Sequence, residues 1–172
     1  MEKKKPPSAQ LLSDYFRERG ADHALAMYLA DCLRSTCGQR ADEIAKIFQE
    51  NDWTCEEIRD LFQKRRSCLA NPVEFFGREQ ALRARGCSPV VAHSILTSRV
   101  LYNNFDANRI LETLYCLARF GYGASIQRYA AVTHPRALLQ TTEKIRRLRI
   151  KAVERGWSAD NYLRHLSLKE EP

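Results

Sequence analysis

Arginine is concentrated in one short segment near the C-terminal end of the chain, residues 143–155, "EKIRRLRIKAVER". Ile145, Leu148 and Val153 recur at the spacing of one helical face and are predicted to point inward. The outer and flanking faces then carry Arg146, Arg147, Arg149 and Lys151. A guanidinium is a planar donor that suits phosphate, so this segment is predicted to be a phosphate-binding helix. The alternative is a solvated helix face without a ligand.

The other residue types that carry chemistry form no catalytic or metal-binding pattern. The histidines at 23, 93, 134 and 165 are not accompanied by a nucleophile and a carboxylate in a matching array. We expect them to be structural or surface residues. The six cysteines are scattered and include no CxxC pair, which favours reduced, intracellular thiols over a metal site. No Gly-rich phosphate loop or HExxH pattern is present. We expect no enzyme activity, no metal and no cofactor.

The charge of the chain is unevenly distributed. The 172 residues carry a net charge of +7, and the basic side chains comprise 20 Arg and 8 Lys. Residues 1–47 hold eight basic and seven acidic groups, whereas residues 99–155 hold eleven basic and four acidic groups. This asymmetry favours a polyanionic partner for the C-terminal part of the chain. A soluble basic surface with no partner is the alternative.

Apolar residues recur at helical spacing along almost the whole chain, and strand-like alternation is hard to find. Ile58, Leu61 and Phe62 lie on one such stripe. Helix starts are marked by capping residues, for example Ser88 followed by Pro89. The sequence therefore predicts an all-α fold.

Five positions divide the chain at regular intervals, and we call them the marks. Gly86, Gly121 and Gly156 are 35 residues apart, Asp52 lies 34 residues before Gly86, and Gly20 lies 32 before Asp52. Gly86, Gly121 and Gly156 are each predicted to end a helix, and every mark is followed by a helix, a short basic turn and a second helix. A period of 32–35 residues with two helices predicts an α-solenoid, whose units bury their apolar faces against their neighbours.

Arginines also lie at the turns between the two helices of a unit. These are Arg65, Arg66, Arg99 and Arg136. Because such turns line one edge of a solenoid, the arginines are predicted to form a row that contacts a nucleic-acid backbone.

Aromatic residues directly follow three of the marks, at Trp53, Tyr122 and Trp157, with Cys87 after a fourth. Exposed rings could stack on bases. Their equal position in each unit favours packing between units instead.

The repeat unit resembles that of the mitochondrial transcription termination factor (mTERF) family. Pro135, Leu138 and Leu139 match that family's proline-x-leucine-leucine turn. The match continues through Ile145 and Leu148 in the second helix to Gly156, Trp157 and Ser158 at the next unit. The resemblance covers residues 48–165 well and 18–47 weakly, although Arg66 and Arg99 stand near the usual proline. It implies units of two α-helices and a 3₁₀ turn, whose basic concave side binds duplex DNA or structured RNA in mitochondria or chloroplasts.

We predict a disordered basic tail at residues 1–10 and one repeat domain at 11–172, with units starting near 20, 52, 86, 121 and 156. No apolar run approaches the roughly 18–20 residues of a membrane span. The lysine-rich N-terminus lacks the apolar segment of a secretory signal. We expect a monomer.

The predicted function is non-enzymatic binding of duplex DNA or structured RNA through the phosphate backbone, in transcription or organellar gene expression. The predicted interface comprises Arg65, Arg66, Arg99, Arg128, Arg136, Lys144, Arg146, Arg147, Arg149 and Lys151. One alternative is a helical-repeat adaptor that binds an acidic protein. Another is a secreted or translocated bacterial protein that uses this fold to act in a host. If the family resemblance does not carry over, the expected location is the cytoplasm or a host cell.

Overall fold

The computed structural model describes residues 9–168, and every regular element in that range is helical. The α-helices are α1 (Ala9–Arg17), α2 (His23–Cys37), α3 (Ala41–Glu50), α4 (Cys55–Arg65), α5 (Pro72–Arg83), α6 (Pro89–Thr97), α7 (Arg99–Asn103), α8 (Ala107–Arg119), α9 (Ala124–Thr133), α10 (Thr142–Glu154) and α11 (Ala159–Ser167). Three 3₁₀ helices span Gly38–Arg40, Arg66–Ala70 and Pro135–Leu139. The predicted all-α class is therefore confirmed.

Residues 1–8 of the predicted basic tail lie outside the described residues. Helix α1 begins at Ala9, so the last two residues of the predicted tail belong to a helix. Residues 169–172 also lie outside the described residues. Within the described range, every helix is too short or too polar to cross a bilayer.

All five marks adopt the left-handed backbone conformation. Their φ angles are +89° at Gly20, +62° at Asp52, +87° at Gly86, +85° at Gly121 and +60° at Gly156. Each mark donates its N–H to the carbonyl three residues earlier, and the next residue donates to the carbonyl five residues before itself. This pair of hydrogen bonds is the Schellman motif, which satisfies the last carbonyls of a helix. The marks thus end α1, α3, α5, α8 and α10 in one and the same way.

The same order of elements follows each mark. A helix opens the unit (α2, α4, α6, α9 or α11), and in the four units that continue a short helix and a second long helix come next. The short element is a 3₁₀ helix in three of these units and the α-helix α7 in the fourth. The side chain of Ser98, the N-cap of α7, accepts a hydrogen bond from the N–H of Leu101 at 3.4 Å, whereas the three 3₁₀ helices begin without a hydrogen bond to a capping side chain. The predicted order within each unit is present, while the assembly of all units into one solenoid stays a prediction.

The described residues up to Phe76 form a first compact unit, which we call the N-terminal unit. Helix α2 packs against α1, α3 and α4. An aromatic cluster lies beside the mark at Asp52: the ring of Phe48 contacts the rings of Trp53 and Phe76 at 5.2 Å between centroids. Trp53 is only 6% exposed, so this residue after a mark serves packing, as predicted.

The described residues from Gly77 onward form a second compact unit, the C-terminal unit. Equivalent elements of successive repeats pack against each other within it: α6 contacts α9, α8 contacts α10, and α7 contacts the 3₁₀ helix Pro135–Leu139. The core includes Leu117, Leu138 and Tyr162, each fully buried. The hydroxyl of Tyr162 donates to the carbonyl of Ile145 at 2.8 Å, which attaches α11 to α10. Side-by-side packing of like elements places α8 and α10 next to each other at the surface.

The other aromatic residues that follow marks also make internal contacts. The ring of Tyr122 lies 5.8 Å from that of Tyr162, and the ring of Trp157 stacks on His165 with centroids 4.0 Å apart. The contact between Tyr122 and Tyr162 joins two successive units, as the packing interpretation predicts, whereas Trp157 and His165 belong to the same unit.

The predicted inward stripe of α10 is wrong at one position. Val153 is 65% exposed, whereas its neighbour Ala152 is 1% exposed. Ala152 lies seven residues after Ile145, which is two helical turns along the same face. Val153 is the next residue and therefore lies on a different face of the helix. The inward stripe is therefore Ile145, Leu148 and Ala152.

Candidate functional site

A groove of about 580 Å³ lies between α8 and α10 in the C-terminal unit. Helix α8 contributes Tyr115 and Arg119, one turn apart, and α10 contributes Arg146, Arg149 and Ile150. Residues at spacings of three and four share one helix face, so each helix presents its side chains to the groove together. Neither helix alone would make this site, because its walls come from adjacent repeats.

Arg149 is held in place at the edge of the groove by two aromatic rings. Its guanidinium carbon lies 5.5 Å from the ring centroid of Phe120 and 5.3 Å from that of Tyr122. Its Nη1 also donates to the Tyr122 hydroxyl at 3.0 Å. These rings flank the mark at Gly121, so the end of α8 orients the cation on α10. A cation fixed by such contacts loses less side-chain entropy when it binds an anion.

Arg119 and Arg146 are exposed at the same groove. The guanidinium of Arg119 lies 5.9 Å from the ring centroid of Tyr115. Within residues 9–168, neither arginine forms an ion pair with a carboxylate. Glu112 contributes a carboxylate to the groove lining, against three guanidinium groups. The groove is therefore positively charged and open to an anion.

In the N-terminal unit, several exposed Lys and Arg side chains form ion pairs with carboxylates. Exposed ion pairs there join Arg17 to Asp14, Arg40 to Glu43, Arg59 to Glu56 and Lys64 to Asp60. Residues 1–76 contain twelve Lys and Arg against thirteen Asp and Glu, whereas residues 77–172 contain sixteen against eight. The whole positive excess of the chain thus lies in the C-terminal unit.

The predicted interface residues of α10 lie on different faces of that helix. Arg146 and Arg149 line the groove, and Arg147 and Lys151 are exposed elsewhere on α10. Arg128 is exposed on α9.

Lys144 occupies a different environment from the one expected of a phosphate ligand. It is 8% exposed, and its Nζ donates to the carbonyl of Leu168 at 2.6 Å and to Oε1 of Gln140 at 3.1 Å. These bonds tie the first turn of α10 to the end of α11. We therefore leave Lys144 out of the proposed interface.

The predicted row of turn arginines is divided between the two compact units. In the N-terminal unit, Arg66 donates from Nε to the Thr36 hydroxyl at 2.8 Å and also hydrogen-bonds Ser35. Arg65 donates from Nε to Sγ of Cys68 at 3.3 Å. In the C-terminal unit, Arg99 starts α7 and Arg136 lies in the 3₁₀ helix after Pro135, both exposed.

Sequence reasoning missed Arg119 and Tyr115 as members of a site. The signal available was their spacing of four residues on α8, which places a cation beside an aromatic ring on one face. That spacing alone does not show that α10 brings two more arginines to the same face.

Two histidines form hydrogen bonds with carboxylates. His93 and Glu79 are 2% and 0% exposed, with Nε2 and Oε1 3.0 Å apart. At the surface, Oδ1 of Asp160 accepts hydrogen bonds from His134 Nε2 at 2.8 Å and from the Tyr129 hydroxyl at 2.7 Å. The bonds from His134 and then Tyr129 lower the pKa of Asp160. The first pair is sealed in the core, and the second joins the start of α11 to α9.

All six cysteines are free thiols. Burial raises the pKa of Cys87 to about 11 and also raises the pKa of Cys37 and of Cys55. Such thiols contain little thiolate, the reactive form, near neutral pH. Among residues 9–168, no three His, Cys, Asp or Glu side chains are grouped as metal ligands.

No protein-family model, curated protein or solved structure matches this chain. The resemblance to the mitochondrial transcription termination factor repeat stays a prediction.

Proposed function

We propose that the C-terminal unit binds nucleic acid through its phosphates, with Arg119, Arg146 and Arg149 of the groove at the centre of the interface. The observation that carries this proposal is the meeting of three guanidinium groups on two adjacent helices, in the unit that holds the whole positive excess. Exposed Arg99, Arg128, Arg136 and Lys151 belong to the same unit and supply further positive charge.

Phosphate is the anion that suits this arrangement best. Guanidinium groups donate paired hydrogen bonds to phosphate oxygens, and each contact releases counterions from the nucleic acid. Such contacts position a protein on the backbone and carry no sequence information of their own. The proposed activity is therefore binding with modest sequence preference. A role in transcription or organellar gene expression rests on the family resemblance.

The salt dependence of binding tests this proposal. Fluorescence anisotropy would measure the affinity of the full chain for a labelled DNA duplex and for an RNA hairpin over a range of salt concentrations. The test variant is Arg119→Gln/Arg146→Gln/Arg149→Gln. The matched control is Arg17→Gln/Arg40→Gln/Arg59→Gln, which removes the same charge from ion-paired arginines of the N-terminal unit.

Three lost phosphate contacts should make the log–log salt slope on duplex DNA shallower by about 2.7, from the slope of roughly 0.9 per contact. The control should keep the wild-type slope. Because Arg149 also packs on aromatic rings, Arg149→Lys serves as a second variant that keeps the charge and should keep the slope.

Wild-type affinity that hardly responds to salt would refute phosphate binding. Equal losses in test and control variants would show that total charge matters and the groove does not. If an acidic peptide binds while neither nucleic acid does, the adaptor function replaces this proposal.

A further inference from the structure

The groove between α8 and α10 contains apolar side chains that phosphate binding does not need. The ring of Tyr115 is 65% exposed and Ile150 is 62% exposed, and both line the groove with the three arginines. Exposed apolar surface of this kind forgoes the stabilisation that burial would provide. Its position between cations suggests a ligand that combines negative charge with a flat apolar surface.

We propose that this groove binds an unpaired base of a single-stranded nucleic acid, with the base stacked on Tyr115. Arg119, Arg146 and Arg149 would contact the phosphates on either side of that base. This inference rests on the proposed function and makes it more specific, because it names the form of nucleic acid that fills the groove.

Base accessibility separates single strands from duplexes. In a duplex, each base face is covered by its neighbours, so a protein reaches base edges and phosphates only. In a single strand the faces are open, and aromatic side chains stack on them without regard to sequence. A volume of about 580 Å³ lies within the range of pockets that accept small organic groups. A duplex would use the arginines and leave the Tyr115 ring unused.

The composition of the groove favours a nucleic acid over an acidic protein helix. A docked amphipathic helix needs a row of apolar anchors in the groove that receives it. Here the exposed large apolar residues of the groove lining are Tyr115 and Ile150, against three arginines. Stacking beside phosphate contacts uses this mixture, and helix docking does not.

The test compares substitutions of Tyr115 on single and double strands. Anisotropy would measure binding of the full chain to labelled oligo-dT, oligo-rU and a duplex of equal length. Tyr115→Leu removes the ring and keeps an apolar side chain, Tyr115→Phe keeps the ring, and Tyr28→Leu changes a half-exposed tyrosine of α2 as the control. Tyr115 is exposed, so circular dichroism should show unchanged folding.

We expect Tyr115→Leu to weaken oligo-dT or oligo-rU binding by at least about fivefold, the lower end for loss of one stacked base. Duplex affinity should stay within about twofold of wild type on the same grounds. The salt slope should not change, because no charge is removed. Tyr115→Phe and Tyr28→Leu should bind like wild type.

Three results would overturn the inference. Unchanged single-strand affinity of Tyr115→Leu, with salt-dependent binding intact, would sink the stacking site and leave the proposed function standing. Equal losses on single strands and duplex would assign Tyr115 a structural role. Displacement of oligo-dT by polyglutamate of equal charge as effectively as by unlabelled oligo-dT would show that the groove responds to charge alone. Absence of binding to all nucleic acids would instead refute the proposed function itself.

Discussion

The marks can be tested by a pair of glycine substitutions whose effects should have opposite signs. Gly121 ends α8 with φ of +85°, whereas Gly77 lies inside α5 with an ordinary backbone. A Cβ added at either position would meet no atom within 4 Å apart from its adjacent residues and the backbone of its own helix. Steric crowding is thus equal at the two sites, and the backbone conformation alone decides the outcome.

The expected magnitudes follow from backbone preference. Gly121→Ala puts a Cβ into the left-handed region and should lower the free energy of unfolding by about 1–2 kcal/mol. Gly77→Ala replaces the poorest helix former apart from proline by the best and should raise it by about 0.5–1 kcal/mol. For a chain of this size, 1 kcal/mol corresponds to a change of roughly 2–4 °C in Tm.

Urea and thermal unfolding followed by circular dichroism would measure both variants against wild type. Gly86→Ala and Gly156→Ala should resemble Gly121→Ala, because all three marks share the same hydrogen bonds and positive φ. A Gly121→Ala protein as stable as wild type would refute the reasoning. Shifts of the same sign for Gly121→Ala and Gly77→Ala would refute it as well.

Other predictions concern charge, burial and titration. Glu112→Gln removes a negative charge that repels a phosphate bound in the groove. In a water-like dielectric this should strengthen nucleic-acid binding about threefold at low salt, as measured by anisotropy, and weaker binding would contradict the prediction. Glu79→Ala should cost about 3–5 kcal/mol of unfolding free energy because it breaks a buried pair, and Glu79→Gln should cost less in the same urea assay. Iodoacetamide should modify Cys87 about two orders of magnitude more slowly than an ordinary thiol at pH 8, and at the ordinary rate in urea, because burial raises its pKa to about 11. The pKa of Asp160 is lowered in the folded state, so its ionised carboxylate stabilises the fold above the unfolded pKa of about 3.9, and this stabilisation is lost as the pH falls through the folded value. Asp160→Asn should remove this acid-dependent loss from urea midpoints measured against pH.

Features that depend on neighbours along the chain were predictable from the sequence. The helical class follows from apolar periodicity, and the marks follow from glycine at helix ends. Asp52 adopts φ of +62° where the other marks have glycine, so the interval was informative even where the residue type differed. Local hydrogen bonds and φ preferences act within a few residues, which is why spacing alone located these helix ends.

The candidate site could not be predicted in the same way, because contacts between helices cannot be read from the spacing of residues along the chain. Val153 was predicted to be inward and is exposed, and Lys144 was predicted to face a ligand and is bonded to the end of α11. The predicted and observed positions of these two side chains differ because packing between repeats decides which neighbouring helix covers each face of α10.

The amino-acid sequence by itself determined the helices, their ends and the excess of basic over acidic groups in residues 99–155. Only the tertiary structure decided that α8 lies beside α10, and hence that Arg119 and Tyr115 share a groove with Arg146 and Arg149. Periodicity reports which side of a helix is apolar, whereas a site made by two helices depends on long-range burial of those apolar sides against each other.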